Sequence, residues 1–245
     1  MHADCYHKMY INEEHHWWFK SRVKIVKDLL RNFSISVADK KILDAGCGTS
    51  FLSKSITNNP DNVFNVDNCD ISLDYSKRRG MVNVINGDLL NLPFEKDWFD
   101  FCVCMDVIEH NSNDAELVHE LARVIKKDGI IITAVPATKA LWGPQDEKLG
   151  HFRRYEKNEF AKLFQEDFEI LKISYFNTLL FPAVYIMRKI FNIAPIILKE
   201  KDELDMNNKF FNGLLYRIFS FEGNLLKYFN FPAGVSLIVV GRKKI

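Results

Sequence analysis

The chain has 245 residues, 47% of them apolar and 27% charged, which excludes wholesale disorder and allows a sizeable core. Lys and Arg number 33 against 32 Asp and Glu, a formal net charge of +1. No global basic field is available to recruit nucleic acid.

Apolar side chains at 18, 19, 23, 25, 26, 29 and 30 predict an amphipathic helix over 17–31. KKILDAGCG reads as a buried strand ending in a glycine loop, and 50–58 as a helix leaving that loop. Strands follow at 62–67, 81–87, 100–107 and 129–136. Helices are expected at 72–79, ended by Gly80, and at 114–127, with Gly129 as C-cap candidate. A helix at 157–166 and strands at 168–176 and 235–243 close the pattern. Near-continuous apolar strands alternating with helices predict a parallel sheet covered on both faces. About sixty residues separate the last two strands, far more than closing strands need. They read as a helical insertion. The expected organisation is one domain over 1–245. It comprises a helical cap (1–38), a cofactor-binding core (39–176), the insertion (177–233) and the last strand (234–245).

Cysteines stand at 5, 47, 69, 102 and 104 with no C-x-x-C pair. Cys102 and Cys104 share one strand face, poor geometry for a bridge. A reducing, cytoplasmic compartment is expected. The N-terminus shows no apolar signal-peptide region. The most apolar stretch, 178–198, is interrupted by Arg188, Lys189 and two prolines, so no spanning helix is expected.

In ILDAGCGTS, Gly46 and Gly48 allow a sharp turn and close backbone approach to a ligand. The following helix aims its first amides at the same place. A dinucleotide fingerprint would need a third glycine where Phe51 stands, and a tight strand–helix turn is the structural alternative. Asp67 ends the second strand 19 residues after Gly48, where a carboxylate can accept from both ribose hydroxyls. Asp70 competes for that role, but strand register favours Asp67. Asp88 follows the third strand, where an acid can meet an adenine amino group. Asp106 follows the fourth, and Asp44 lies in the first. Acids at successive carboxyl ends suit a cationic cofactor better than a pyrophosphate.

These segments, together with NGDLLNLPF, FDFCVCMDVIEH and LARVIKKDGIIITAVP, resemble the successive motifs of class I S-adenosylmethionine (SAM)-dependent methyltransferases over about residues 40–136. Ser50 departs from the family's usual glycine. The resemblance implies a Rossmann-like α/β fold: a mostly parallel seven-stranded sheet with its last strand antiparallel and helices on both faces. It implies SAM as cofactor and S-adenosylhomocysteine as product. Asp44 and the loop Ala45, Gly46, Cys47, Gly48 and Thr49 would then face the methionine portion. Asp67 would hold the ribose, Asp88 and Leu89 the adenine, and Asp106 the region near the sulfonium. HHWWFKSR, LWGPQDEKLGHFRRY and YFNTLLFP are similar to a subgroup associated with surface polysaccharide or lipid-linked saccharide pathways.

Trp17, Trp18 and Phe19 precede the first predicted helix. They read as a cofactor lid with Arg22 on the SAM carboxylate, or as a helix on the sheet edge. His2, His7, His15, His16 and Cys5 match no metal-ligand spacing, and a mobile terminus is expected. No metal site is expected elsewhere. The 143–157 loop carries Asp146, His151, Arg153, Arg154 and Tyr155, with Trp142 just before it. Arg153 and Arg154 are expected to hold an anionic group of the acceptor; the alternative pairs them with Asp146 and Glu147. An acceptor hydroxyl calls for a general base. His151 is the first candidate and His110 the second, although His110 could instead cap the next helix. The Phe-rich insertion reads as an apolar acceptor chamber or a peripheral membrane contact through 177–199, against core packing or a dimer interface.

The expected reaction moves a methyl group from SAM to a small or lipid-linked acceptor, on oxygen, in the cytoplasm or at the inner membrane face. A non-catalytic SAM-binding scaffold and a nicotinamide-dependent oxidoreductase are the alternatives. A nucleic-acid substrate is not expected, because D-V-I-E-H replaces an N/D-P-P-Y-like motif.

Overall fold

The computed structural model describes residues 3–193 and 209–244. Seven strands form one sheet in the order β3-β2-β1-β4-β5-β7-β6. The strands are β1 (Ile42–Ala45), β2 (Val63–Asp67), β3 (Asn83–Asn86), β4 (Phe99–Met105), β5 (Ile125–Pro136), β6 (Phe168–Phe176) and β7 (Ser236–Lys243). The first five pair in parallel, and β7 runs antiparallel to both β5 and β6, so the sheet is mixed. The order reverses between β1 and β4, the switch point at which open α/β sheets bind ligands.

Two helices precede the sheet, α1 (Ala3–Asn12) and α2 (Trp17–Asn32). Helices α3 (Phe51–Ile56), α4 (Asp70–Arg78), α5 (Asp114–Val124), α6 (Pro144–Leu149) and α7 (Lys157–Phe164) connect the strands. Each sheet face is covered. On one, Leu117, Leu121, Phe160 and Phe164 pack on Cys102, Cys104 and Val239. On the other, Ile25, Val26 and Leu29 of α2 pack on Ile42, Phe101 and Val103. That double burial explains why the strands lack polar alternation. The five cysteines are free thiols.

Between β6 and β7 lie α8 (Phe181–Ile193) and α9 (Lys209–Leu225). Helix α9 docks on α2, where Phe219 stacks on Phe176 with ring centroids 5.9 Å apart and tilts against Trp18 at 5.4 Å. The Trp17 amide donates to Asn212 Oδ1 at 2.9 Å. Helices α2 and α9 thus lie side by side over one face of the sheet. Among the described residues, no helix is long and apolar enough to cross a membrane.

Two expectations fail locally. The terminus expected to be mobile is a helix: Tyr10 of α1 stacks on Tyr75 at 4.6 Å, and His7 hydrogen-bonds the Tyr75 hydroxyl at 2.8 Å. Gly129 is not a helix cap. Helix α5 stops at Val124, Asp128 turns left-handed (φ 63°), and Gly129 lies inside β5 beside a register shift between Phe99 and Phe101. A Cβ there would stand 2.6 Å from Ile125 Cγ2 and 2.8 Å from the Lys126 carbonyl oxygen. Gly129→Ala should therefore cost about 1–3 kcal/mol through overpacking, read as a lowered midpoint in thermal unfolding.

Candidate active site

The turn after β1 sets the site. Gly46 has φ 71°, and a Cβ on it would meet Val107 Cγ2 at 2.4 Å, so this position accepts no side chain. Gly48 (φ 52°) has open space, with only Met9 Cε within 4 Å of a built Cβ, at 3.9 Å. Ser50 is also left-handed (φ 58°), the conformation that glycine adopts at least cost. Its hydroxyl shares a 2.6 Å hydrogen bond with Ser76.

Asp67 is buried at the end of β2. One oxygen accepts from the Gly48 amide at 2.9 Å and the other from the Cys69 amide at 3.0 Å. Asp70 opens α4 and accepts instead from Asn86 at 2.6 Å in an exposed position. Asp88 accepts from the Leu90 amide at 2.9 Å at the rim, with Leu89 half-buried beside it. Asp44 is buried under the loop. Loss of water, reinforced by Asp67 and Glu13 and opposed by Ser53, pushes its carboxyl from 3.8 up to about 7. Burial also raises the Cys47 thiol well above its usual range.

Helix α1 lies across this turn. Glu13, buried, bonds the Thr49 hydroxyl and pairs with Arg79 at 3.0 Å. Tyr6 is buried, and burial followed by Asp67 and Cys69 raises its phenol above the ordinary range. Arg22 of α2 pairs with Asp106, a left-handed residue (φ 57°) just past β4. The Arg22 Nη2 atom is buried without a hydrogen-bond partner among the described residues.

Beyond Asp106 lies a second group. Glu109 and His110 sit in a 3-10 turn, Ile108–His110, after β4. Glu109 is fully buried, and neither carboxylate oxygen has a hydrogen-bond partner among the described residues. Burial, then Asp106, raises its carboxyl well above the usual range. The His110 ring meets the His151 ring edge-on at 4.7 Å, and burial followed by His151 lowers His110 to about 4. The N-cap of α5 is Asn113, so the capping role considered for His110 is not realised. His151 Nδ1 bonds Asp146 Oδ1 at 2.9 Å.

Asp146 organises this side. It also accepts from Arg154 Nε at 2.8 Å, Arg188 Nη1 of α8 at 3.0 Å and the Gly143 amide at 3.0 Å. Burial alone would raise its carboxyl, but His151, Arg154 and Arg188 together hold it below the usual carboxylate range. Both arginines expected on the acceptor are engaged within the protein. Buried Arg154 also donates to the Ala137 carbonyl at 3.0 Å, and Arg153 binds Asp114 at 2.6 Å and the Ser112 carbonyl at 2.9 Å. Tyr155 is buried and donates to Asp114 at 2.8 Å. Trp142 is half-buried, its amide on the Lys139 carbonyl at 3.0 Å.

A methyltransferase domain family model matches residues 43–133. An uncharacterised protein of Methanocaldococcus jannaschii is 32% identical over 176 residues, 71% of this chain and 70% of that protein. A ubiquinone biosynthesis O-methyltransferase of Rickettsia bellii is 29% identical over 143 residues, 51% of this chain and 59% of that enzyme. A demethylmenaquinone methyltransferase of Staphylococcus saprophyticus is 29% identical over 74% of this chain and 77% of its own. In fold, the methyltransferase of Haloferax volcanii solved with its Trm112 activator superposes with TM-score 0.60 at 16% identity, covering 99% of this chain and 94% of that one.

The chain belongs to the class I SAM-dependent methyltransferases.

SAM is therefore the implied methyl donor, and the residues present fit it. The methyltransferase offers an unobstructed Gly48, a buried guanidinium nitrogen on Arg22 and an acid at the end of β2. Sequence reasoning missed Tyr6, Met9 and Glu13 as the cover of the glycine loop, and Glu109 and Arg188 as parts of the second group. The one available signal was the E-H dipeptide that follows the fourth strand.

Asp146→Ala would take from Arg154 and Arg188 the buried carboxylate that they share. It should cost about 3–5 kcal/mol in denaturant unfolding. Asp44 sets a pH dependence. Between 3.8 and about 7 the folded chain keeps a proton that the unfolded chain releases. Stability should fall as pH rises across that window, by at most about 1.4 kcal/mol per pH unit, and level off above it. Asp44→Asn should lessen this slope when urea unfolding is compared across the same window, leaving the part that Glu13 and Glu109 contribute.

Proposed function

We propose that this methyltransferase moves a methyl group from SAM to a hydroxyl oxygen of a small or lipid-linked acceptor. The observation that carries the reading is the juxtaposition of two groups at the switch point: Gly48, Asp67 and Arg22 on one side, and Glu109, His110 and His151 on the other. SAM, when bound, supplies a methyl already activated as a sulfonium, so the protein's main task is alignment. Asp67 would hold the ribose. Arg22 Nη2 would hold the cofactor carboxylate, and Asp44 with the Ala45–Thr49 loop the methionine portion. Asp88 and Leu89 would border the adenine. Asp106 holds Arg22 in place. Helix α1, through Tyr6, Met9 and Glu13, closes the cofactor side against water.

The acceptor hydroxyl would lose its proton at the Glu109–His110–His151 cluster, where Asp146 fixes the His151 ring. Two findings support an apolar, oxygen-bearing acceptor. Helices α8 and α9 expose Ile186, Ile190, Phe210 and Phe211, and one relative is named an O-methyltransferase of ubiquinone biosynthesis. The same exposed side chains support a peripheral membrane contact. Its expected segment, 177–199, falls partly outside the described residues, which stop at 193 before resuming at 209.

Calorimetric titration with SAM, S-adenosylhomocysteine and NAD tests the cofactor side. Both adenosyl ligands should bind and NAD should not. Asp67→Ala should weaken them by about 2–3 kcal/mol, or roughly 30- to 150-fold, for hydrogen bonds to a charged group. Asp70→Ala should leave them unchanged. Binding of NAD alone would overturn the reading in favour of an oxidoreductase.

A further inference from the structure

The Glu109–His110–His151 cluster has a second property. Each histidine is fixed through Nδ1, His110 on the Gly150 carbonyl at 3.3 Å and His151 on Asp146 at 2.9 Å. Those bonds leave Nε2 of each ring outside them, and His151 Nε2 lies on the Glu109 side. One ligand atom from each of the three residues lies within 4.8 Å of the other two, and His151 Nε2 stands 4.0 Å from Glu109 Oε1. Zn–N and Zn–O bonds measure about 2.0–2.2 Å, so 4.0 Å is close to two bond lengths. Small side-chain adjustments would bring all three atoms onto one ion.

Glu109 is the independent observation. A carboxylate with no exposure and no hydrogen-bond partner on either oxygen is rare in folded proteins and calls for an explanation. No cation among the described residues approaches it within hydrogen-bond distance.

We propose that Glu109, His110 and His151 form a divalent transition-metal site, with two imidazoles and one carboxylate as ligands and the remaining positions open. Imidazole with a single carboxylate suits zinc, iron or manganese better than calcium or magnesium. The outer contacts match those that orient metal-bound histidines: a carboxylate behind one ring and a backbone carbonyl behind the other. Asp146 is in turn held by Arg154 and Arg188, so a helix of the insertion steadies the ligand sphere.

The site's role rests on the methyltransferase reading. An acceptor hydroxyl coordinated at an open position becomes more acidic and releases its proton to solvent water. Both histidines then serve as ligands, and no protein group need act as base. This departs from the expectation of a metal-free site. That expectation followed from ligand spacing along the chain, whereas here the fold joins the end of β4 to a loop past β5.

The test is a Co2+ titration of the full-length, chelator-stripped protein followed by visible absorption, with S-adenosylhomocysteine calorimetry in parallel. One Co2+ per chain should give ligand-field bands. His110→Ala and Glu109→Gln should each weaken Co2+ binding by about tenfold or more while leaving S-adenosylhomocysteine binding intact. His119→Ala, at a surface histidine paired with Asp167 at 2.5 Å, should change nothing. No ligand-field bands in the parent protein would overturn the proposal. So would Co2+ binding that survives both His110→Ala and Glu109→Gln, which would mark an adventitious ion. Metal binding that depends on Glu109 and His110 in a protein that binds no adenosyl ligand would keep the metal site and defeat the methyltransferase reading.

Discussion

Asp146 is the contact on which the Glu109–His110–His151 side of the molecule depends. It is almost fully buried, yet it stays below the ordinary carboxylate range because three positively chargeable groups converge on it. One comes from the loop itself, one from the residue range just before α7, and one from α8 of the insertion. A buried carboxylate without such partners would protonate or draw in water. With them, it fastens three separate chain segments and sets the His151 ring. The cost of assembling such a network is high, and its contribution to net stability is small. Its return is geometric: a fixed imidazole facing Glu109.

The glycine-loop side depends on backbone conformation instead. Gly46, Gly48, Ser50 and Asp106 all adopt positive φ within two neighbouring strand-to-helix turns. At Gly46 there is no alternative, because Val107 occupies the space of any side chain. Ser50 and Asp106 carry the conformation at some cost, and both are tied down, Ser50 by Ser76 and Asp106 by Arg22. Strain of this kind persists where surrounding contacts over-determine it. These contacts tie α2 and α4 to the turns that follow β4 and β1.

The pattern of strands and helices was legible because each element carries its own periodicity, and the acids at the strand ends could be placed from register alone. Asp67 over Asp70 is one case: only the first ends a strand, and only it reaches the glycine loop. What could not be read depends on contacts distant in sequence. Glu13 meets Thr49 across 36 residues, and Arg188 meets Asp146 across 42. The arginine pair at 153 and 154 suggested an anion site. The alternative pairing with Asp146 holds for Arg154, whereas the local motif could not reveal that Asp114, 39 residues away, engages Arg153. Helix α1 was invisible for a similar reason. Its order comes from packing on α4 and the glycine loop rather than from its own pattern.

The proposed reaction requires cofactor and acceptor to meet at the switch point between β1 and β4. A structure of the protein with S-adenosylhomocysteine would decide the matter. The ribose should lie at Asp67, the carboxylate at Arg22 and the sulfur toward Glu109, His110 and His151. A ligand bound elsewhere, or one whose sulfur faces away from that cluster, would contradict it.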